Sequence, residues 1–398
     1  MSRLVEKKNV APYVLITSLF FLWGFARSIL DVLNKHFQET LSISITRSAL
    51  IQAITYLGYF LMAIPAGILI TRYGYRRGVT IGLLLFSAGC LLFIPGERLM
   101  SFNLFLCALF VIGCGLVMLE TAANPYASEL GDRATAASRL NLSQSFNGLG
   151  CILGPVTVGE LLSGGNGVAF PYAVMGIFVG ILALIFSKIS LPEISISDDN
   201  NRVSRRGIRT EIGRLLAIKE FRFGLMALFC YEVAEIAINS LFINYATENA
   251  GIAKESATYL LSFGALGCFM LARITGSWVM SKIPALKVLL SCAIGALLCA
   301  ATVAVSGGST AITALMGCYI FEAIMFPTIF ALTITHAGQN VKTASSLLMM
   351  TPLGGAIGTL LMGIMADETG LAVSFAVPAA GYLAVGLYAI YALARKKG

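Results

Sequence analysis

The chain has 398 residues, 57% hydrophobic and only 12% charged, with a mean hydropathy of +0.83 and a formal net charge of +8. That balance excludes a water-soluble globular domain of this length. The positive charge is no argument for nucleic acid, because the Lys and Arg residues that carry it fall where membrane topology asks for them.

Apolar runs long enough to cross a hydrocarbon core about 30 Å thick recur along the whole chain. In order, they predict spans at 11–34, 48–70, 78–95, 103–128, 140–162, 169–190, 221–247, 256–280, 286–306, 310–336, 345–365 and 372–393. The spans are expected to be helices: lipid offers no partner to an unpaired backbone group, and the runs lack the alternation of a barrel strand. The first run is too long for a removable signal, contains Arg27 and Asp31, and is followed by no small-residue cleavage site. It is expected to stay as the first helix.

Orientation follows from the basic residues. One set of loops holds Arg72, Arg76 and Arg77, then Arg133 and Arg139, then Lys282 and Lys287, then Lys342; the opposite loops hold little beyond Arg98 and Lys254. The central loop carries Arg202, Arg205, Arg206, Arg209, Arg214 and Lys219, and the tail ends Arg395, Lys396, Lys397. Both termini and the central loop are therefore expected in the cytoplasm. The nine cysteines fall inside apolar spans with no CxxC pair, and the only histidines are His36 and His336. Neither a disulfide scaffold nor a metal site is supported, and no cofactor is expected. Gly148-Leu-Gly150 and Gly354-Gly355 follow no strand, so they read as close helix packing rather than as a nucleotide loop.

The stretch from about 191 to 219 is the one long hydrophilic break. It predicts a bundle over 1–190, a cytoplasmic linker over 191–219 and a bundle over 220–398. The halves resemble one another. Glu120 precedes Pro125 by five residues in the fourth span, as Glu322 precedes Pro327 in the tenth, and Asn147-Gly-Leu-Gly150 matches Pro352-Leu-Gly-Gly355.

Three segments carry a sharper likeness: Phe20-Phe-Leu-Trp-Gly24 leading to Asp31, Leu119-Glu-Thr-Ala-Ala-Asn-Pro125, and Arg139-Leu-Asn-Leu-Ser-Gln-Ser-Phe-Asn147. With Phe229-Cys-Tyr231, Ala272-Arg273-Ile-Thr-Gly276 and Phe326-Pro-Thr-Ile-Phe330, they resemble the fucose:proton symporter family of the major facilitator superfamily. The loop Gly67–Arg77 is similar to the signature loop of that superfamily, with Thr71 in place of its usual aspartate. The resemblance implies an all-α membrane protein of the major facilitator fold, with twelve helices in two pseudo-symmetric six-helix bundles. It also implies cation-coupled uptake of a monosaccharide by alternating access in a bacterial inner membrane, by a chain that acts as a monomer. Acids resembling Asp31 and Glu120 would serve coupling or sugar binding, and polar residues resembling Gln144 and Asn147 would line the cavity.

A charge inside a span costs about 2.5 to 3.5 kcal/mol on the insertion scale, so buried acids persist where a cavity, a partner or a task justifies them. Asp31 and Glu120 are thus the candidates for proton coupling. The alternatives are that Asp31 merely neutralises Arg27, one helical turn away, and that Glu120 makes a structural hydrogen bond beside Pro125. Asn141, Gln144 and Asn147 recur every three residues, a stripe of amides suited to sugar hydroxyls or to bridging helices. Trp23, Phe146 and Tyr231 offer faces for a pyranose ring, or simple packing. Glu160, near the end of its span, reads as solvated.

The chain also departs from the family. Small polar residues usually stand at the position of Arg27, an uncharged residue at that of Glu232, and an asparagine or apolar residue at that of Glu322; Glu235 resembles the glucose/galactose branch. Aligning the halves sets Arg27 opposite Glu235, so Arg27 is expected to pair with Glu235 or Glu232, with Asp31, or with an anionic sugar. The reading is a proton-coupled sugar symporter. Its alternatives are sodium coupling through Asp31, Glu232, Glu235 and Glu322, a proton-driven exporter of drugs or cationic metabolites, and a non-transporting sensor.

Overall fold

The computed structural model describes residues 10–129, 136–164, 167–189, 208–280 and 282–395. Among these it is helical nearly throughout, and the helices follow the hydropathy in order. They are α1 (Val10–Leu41), α2 (Ile45–Tyr73), α3 (Tyr75–Arg98), α4 (Phe102–Glu129), α5 (Ala136–Ser163), α6 (Ala169–Lys188), α7 (Lys219–Glu248), α8 (Lys254–Met280), α9 (Ala285–Val305), α10 (Gly308–Ala337), α11 (Ser346–Thr369) and α12 (Val373–Arg395). Eleven are long and apolar enough over described residues to cross a membrane; the described apolar part of α5 is the shorter run Phe146–Leu162. The chain is a multi-pass membrane protein. Its outward faces fit lipid: on α6, Val174, Ile177, Ile181 and Leu184 are all exposed along one side.

The contacts divide the chain into two compact units, residues 1–30 with 54–198, and residues 31–53 with 199–398. In the first unit α5 meets α1 through glycines. A Cβ on Gly150 would lie 2.7 Å from the Phe25 nitrogen, and one on Gly154 2.7 Å from the Phe25 carbonyl. In the second unit α11 meets α7 in the corresponding way, where a Cβ on Gly358 would collide with the Val233 carbonyl and Gly354 abuts Phe229. The glycine clusters are helix-packing devices, and the two halves repeat the device.

Segment 31–53 joins the second unit for a polar reason. α1 runs to Leu41, past the hydropathy limit near 34, and its extra turns find partners. Asn34 donates to the Ser240 carbonyl at 2.8 Å and to its hydroxyl at 2.6 Å, Asn244 donates to Gln38 at 2.5 Å, and Lys35 meets Glu248 at 2.7 Å. Lys254 pairs with Glu39, and the Asp367 carboxylate accepts the first backbone N–H groups of α2, from Ile45 and Thr46. An anion suits a helix N-terminus. The hydrophilic break contains a helix that composition does not reveal, Ile208–Ala217, with Leu215 buried and Glu211 accepting from Thr343 at 2.6 Å. Residues 190–207 lie outside the described residues.

Candidate functional site

The span buried most deeply carries two of the charged residues of interest. The most apolar window of α7 is 78% buried, against 28% for α8 and α9, and α7 carries Tyr231, Glu232 and Glu235. Interior helices are shielded from lipid, which favours partners for an ionisable group.

In the first unit, α1 brings its polar side chains to α2. Trp23 Nε1 donates to the Tyr59 hydroxyl, and Arg27 Nε donates to the Tyr56 hydroxyl at 3.1 Å. The two tyrosines lie three residues apart on α2, with ring centroids 5.6 Å apart. Glu120 of α4, half-buried, lies within electrostatic reach of the Tyr59 hydroxyl, as does Arg27. Trp23, Arg27, Tyr56, Tyr59 and Glu120 therefore form one constellation on α1, α2 and α4. Tyr56 and Tyr59 escape the sequence reading, although two hydroxyls one turn apart in an apolar run are the signal that points to them.

On α5, Asn147 is buried and donates to the Phe20 carbonyl at 3.3 Å, a bridge between helices. Nearer the start of α5, Ser143 contacts the hydroxyls of Thr17 at 3.1 Å and Tyr13 at 3.3 Å. The side chains of Asp31, Asn141 and Gln144 lie outside the described residues. Phe146 is exposed, as is Glu160.

In the second unit, Tyr231 is the hub. Glu235, Glu322, Glu232 and Arg273 all act electrostatically on its buried hydroxyl. The three glutamates are 4%, 6% and 0% exposed for Glu232, Glu235 and Glu322 respectively, as deep as any side chain in the fold. Glu235 accepts from Asn239 at 3.0 Å, and Glu322 accepts from the Tyr382 hydroxyl of α12. Glu322 stands at an interruption of α10, which breaks after it and resumes at Met325. Pro327 explains the break: it has no N–H for the carbonyl four residues back, that of Ala323. Arg273 Nε of α8 donates to that carbonyl at 3.1 Å, while its guanidinium stacks 4.6 Å from the Phe269 ring centroid. Arg273 and Tyr382 thus join the glutamates; the sequence reading holds Arg273 only as part of a motif and passes over Tyr382. Among the described residues, no three His, Cys, Asp or Glu converge closely enough to hold a metal ion.

The chain has close relatives. Residues 16–351 match the family profile described as Major Facilitator Superfamily. The chain is 35% identical to the L-fucose-proton symporter of Escherichia coli K12 over 393 residues, covering 92% of this chain and 89% of the relative. It is 32% identical to a glucose/galactose transporter of Brucella abortus over 387 residues, covering 94% and 92%. Among solved structures, the E. coli fucose:proton symporter superposes with a TM-score of 0.72 at 31% identity, covering 96% of this chain and 98% of the other. A D-xylose-proton symporter superposes with a TM-score of 0.70 at 16% identity over 96% and 95%, a likeness of fold alone.

Proposed function

Since the chain belongs to the Major Facilitator Superfamily, and within it to the fucose:proton symporter family, we propose that it imports a monosaccharide by proton symport through alternating access. The chain is a transporter and not an enzyme. The observation that carries the reading is the identity with the L-fucose-proton symporter over nearly the whole length of both chains, at a level that extends beyond the fold to the side chains within it.

The charged constellation supplies what coupling requires. Asp31 or Glu120 binds the proton and returns to its charged form when the proton leaves on the other side. The membrane potential contributes about 2.3 kcal/mol per charge per 100 mV, enough to concentrate a neutral solute many-fold. Trp23 and Tyr231 present ring faces to the sugar, while Gln144, Asn141 and Asn147 meet its hydroxyls. The moving parts are the two six-helix halves, with the 191–219 linker and both termini in the cytoplasm of a bacterium and the helices in its inner membrane.

Uptake of labelled L-fucose, D-glucose and D-galactose into proteoliposomes, with imposed proton or sodium gradients, tests the reading. Accumulation driven by the proton gradient and abolished by a protonophore is expected. Saturable binding without flux would identify a sensor, and efflux against proton entry an exporter; either would overturn it.

A further inference from the structure

We propose that Tyr59 of α2 is a recognition residue of this transporter: its phenolic hydroxyl donates to a hydroxyl of the bound sugar, which in turn donates to the Glu120 carboxylate. This rests on the reading of the chain as a sugar symporter and adds to that reading a residue that contacts the substrate.

The directions of the hydrogen bonds around Tyr59 are set by chemistry. An indole N–H can only donate, so Trp23 Nε1 makes the Tyr59 oxygen its acceptor. The hydroxyl hydrogen of Tyr59 must then go elsewhere, and among the described residues no group accepts it. Tyr59 is 4% exposed, and a buried donor is costly to leave unmet. The ring cannot easily turn away. Its centroid lies 5.6 Å from that of Tyr56, whose own hydroxyl is held by Arg27, so the phenol is fixed from two sides.

Glu120 acts electrostatically on the Tyr59 hydroxyl but makes no hydrogen bond with it, which leaves room between them for a third group. A carboxylate has about four lone-pair positions, so Glu120 can take a donor from the substrate beside its other contacts. The group that meets both demands is a hydroxyl, whose oxygen accepts from Tyr59 and whose hydrogen goes to Glu120. An ammonium cannot accept from Tyr59, and an ether or carbonyl oxygen cannot donate to Glu120. Water has the same two capacities, but the surroundings suit a hydroxyl carried on a ring. Trp23 and Glu120 are both only half-buried, and the bond from Trp23 to Tyr59 fixes the indole edge beside the spot where that hydroxyl sits.

The test titrates the purified full-length protein calorimetrically with L-fucose, D-glucose and D-galactose, then with the monodeoxy forms of whichever binds. Tyr59→Phe keeps the ring and removes only the hydroxyl. It is expected to bind the parent sugar about 3- to 10-fold more weakly, the range of a neutral hydrogen bond. In the wild type, loss of one particular ring hydroxyl should cost at least that factor; in Tyr59→Phe the cost at that position should shrink by the same factor, with the costs at other positions unchanged. Glu120→Gln should reduce the cost at the same position, and a reduction only at a different one would overturn the bridge. A tyrosine that merely holds Trp23 would weaken all the sugars alike and leave every deoxy cost intact. That result overturns the proposal, as does binding of the parent sugar by Tyr59→Phe within twofold of wild type; either leaves sugar symport standing. If Tyr59→Phe fails to fold because Trp23 loses its acceptor, Trp23→Phe with Tyr59→Phe, which removes both partners, is compared with Trp23→Phe alone, and the same results decide. Sugar binding without accumulation under a proton gradient would end the symport reading and leave the site to the same comparison. If none of the three sugars binds, the proposal is overturned with it.

Discussion

Replacing Asn34 by alanine tests what ties the far end of α1 to α7. The wild-type amide donates to both the carbonyl and the hydroxyl of Ser240, at 2.8 and 2.6 Å, and is fully buried. Hydrogen bonds between membrane helices average about 0.6 kcal/mol and reach about 1.7, so two are worth about 1 to 3 kcal/mol. The Ser240 hydroxyl can fall back on a carbonyl one turn earlier in its own helix, which keeps the loss to about 1 to 2 kcal/mol. Opening of this end should therefore become about 5- to 30-fold more frequent. The readout is the reaction rate of a thiol at Ala49, which is fully buried at the start of α2, in a background lacking the nine native cysteines. Asn34→Ala should raise that rate by the same factor, and Gln38→Ala, which removes the bond from Asn244, by a smaller one. A rate within twofold of the parent in Asn34→Ala would refute the view that these amides hold the end of α1 in place.

Further outcomes follow from the same geometry. Arg273→Met leaves the Ala323 carbonyl without its donor and should destabilise the protein by about 1 to 3 kcal/mol in detergent melts. Pro327→Ala restores the missing backbone N–H and should recover part of that loss; no recovery in the double mutant would refute the account of the α10 break. Asp31→Asn keeps the shape but cannot change charge, so active accumulation should disappear while the folded protein remains in the membrane; wild-type accumulation ratios would remove Asp31 from coupling. Glu120→Gln should flatten the dependence of sugar affinity on pH, measured by calorimetry from acid to neutral conditions; a dependence like the wild type's would return Glu120 to a structural role.

Much of the candidate site is legible because charge in lipid is conspicuous. Glu232, Glu235 and Glu322 stand out in apolar runs, and the fold buries all three. Tyr56, Tyr59 and Tyr382 do not stand out, because a tyrosine in a membrane span is ordinarily packing, and only its partners reveal the hydroxyl at work. The Ala323 carbonyl is hidden for a different reason: proline marks where a bond is lost, but not which side chain of another helix replaces it.

Hydropathy suffices to give the membrane-spanning helices and their order, because a bilayer penalises each exposed polar group one residue at a time. Membership of the family likewise stands on short motifs in order. Which side chains meet depends on contacts between residues far apart in the chain. Nothing local to Asn34 announces Ser240, 206 residues away, and nothing in the run around Asn239 announces that its oxygen is left without a donor. Hydrogen-bond satisfaction is a property of the assembled interior, since the same amide is content in water and demanding once helices close around it.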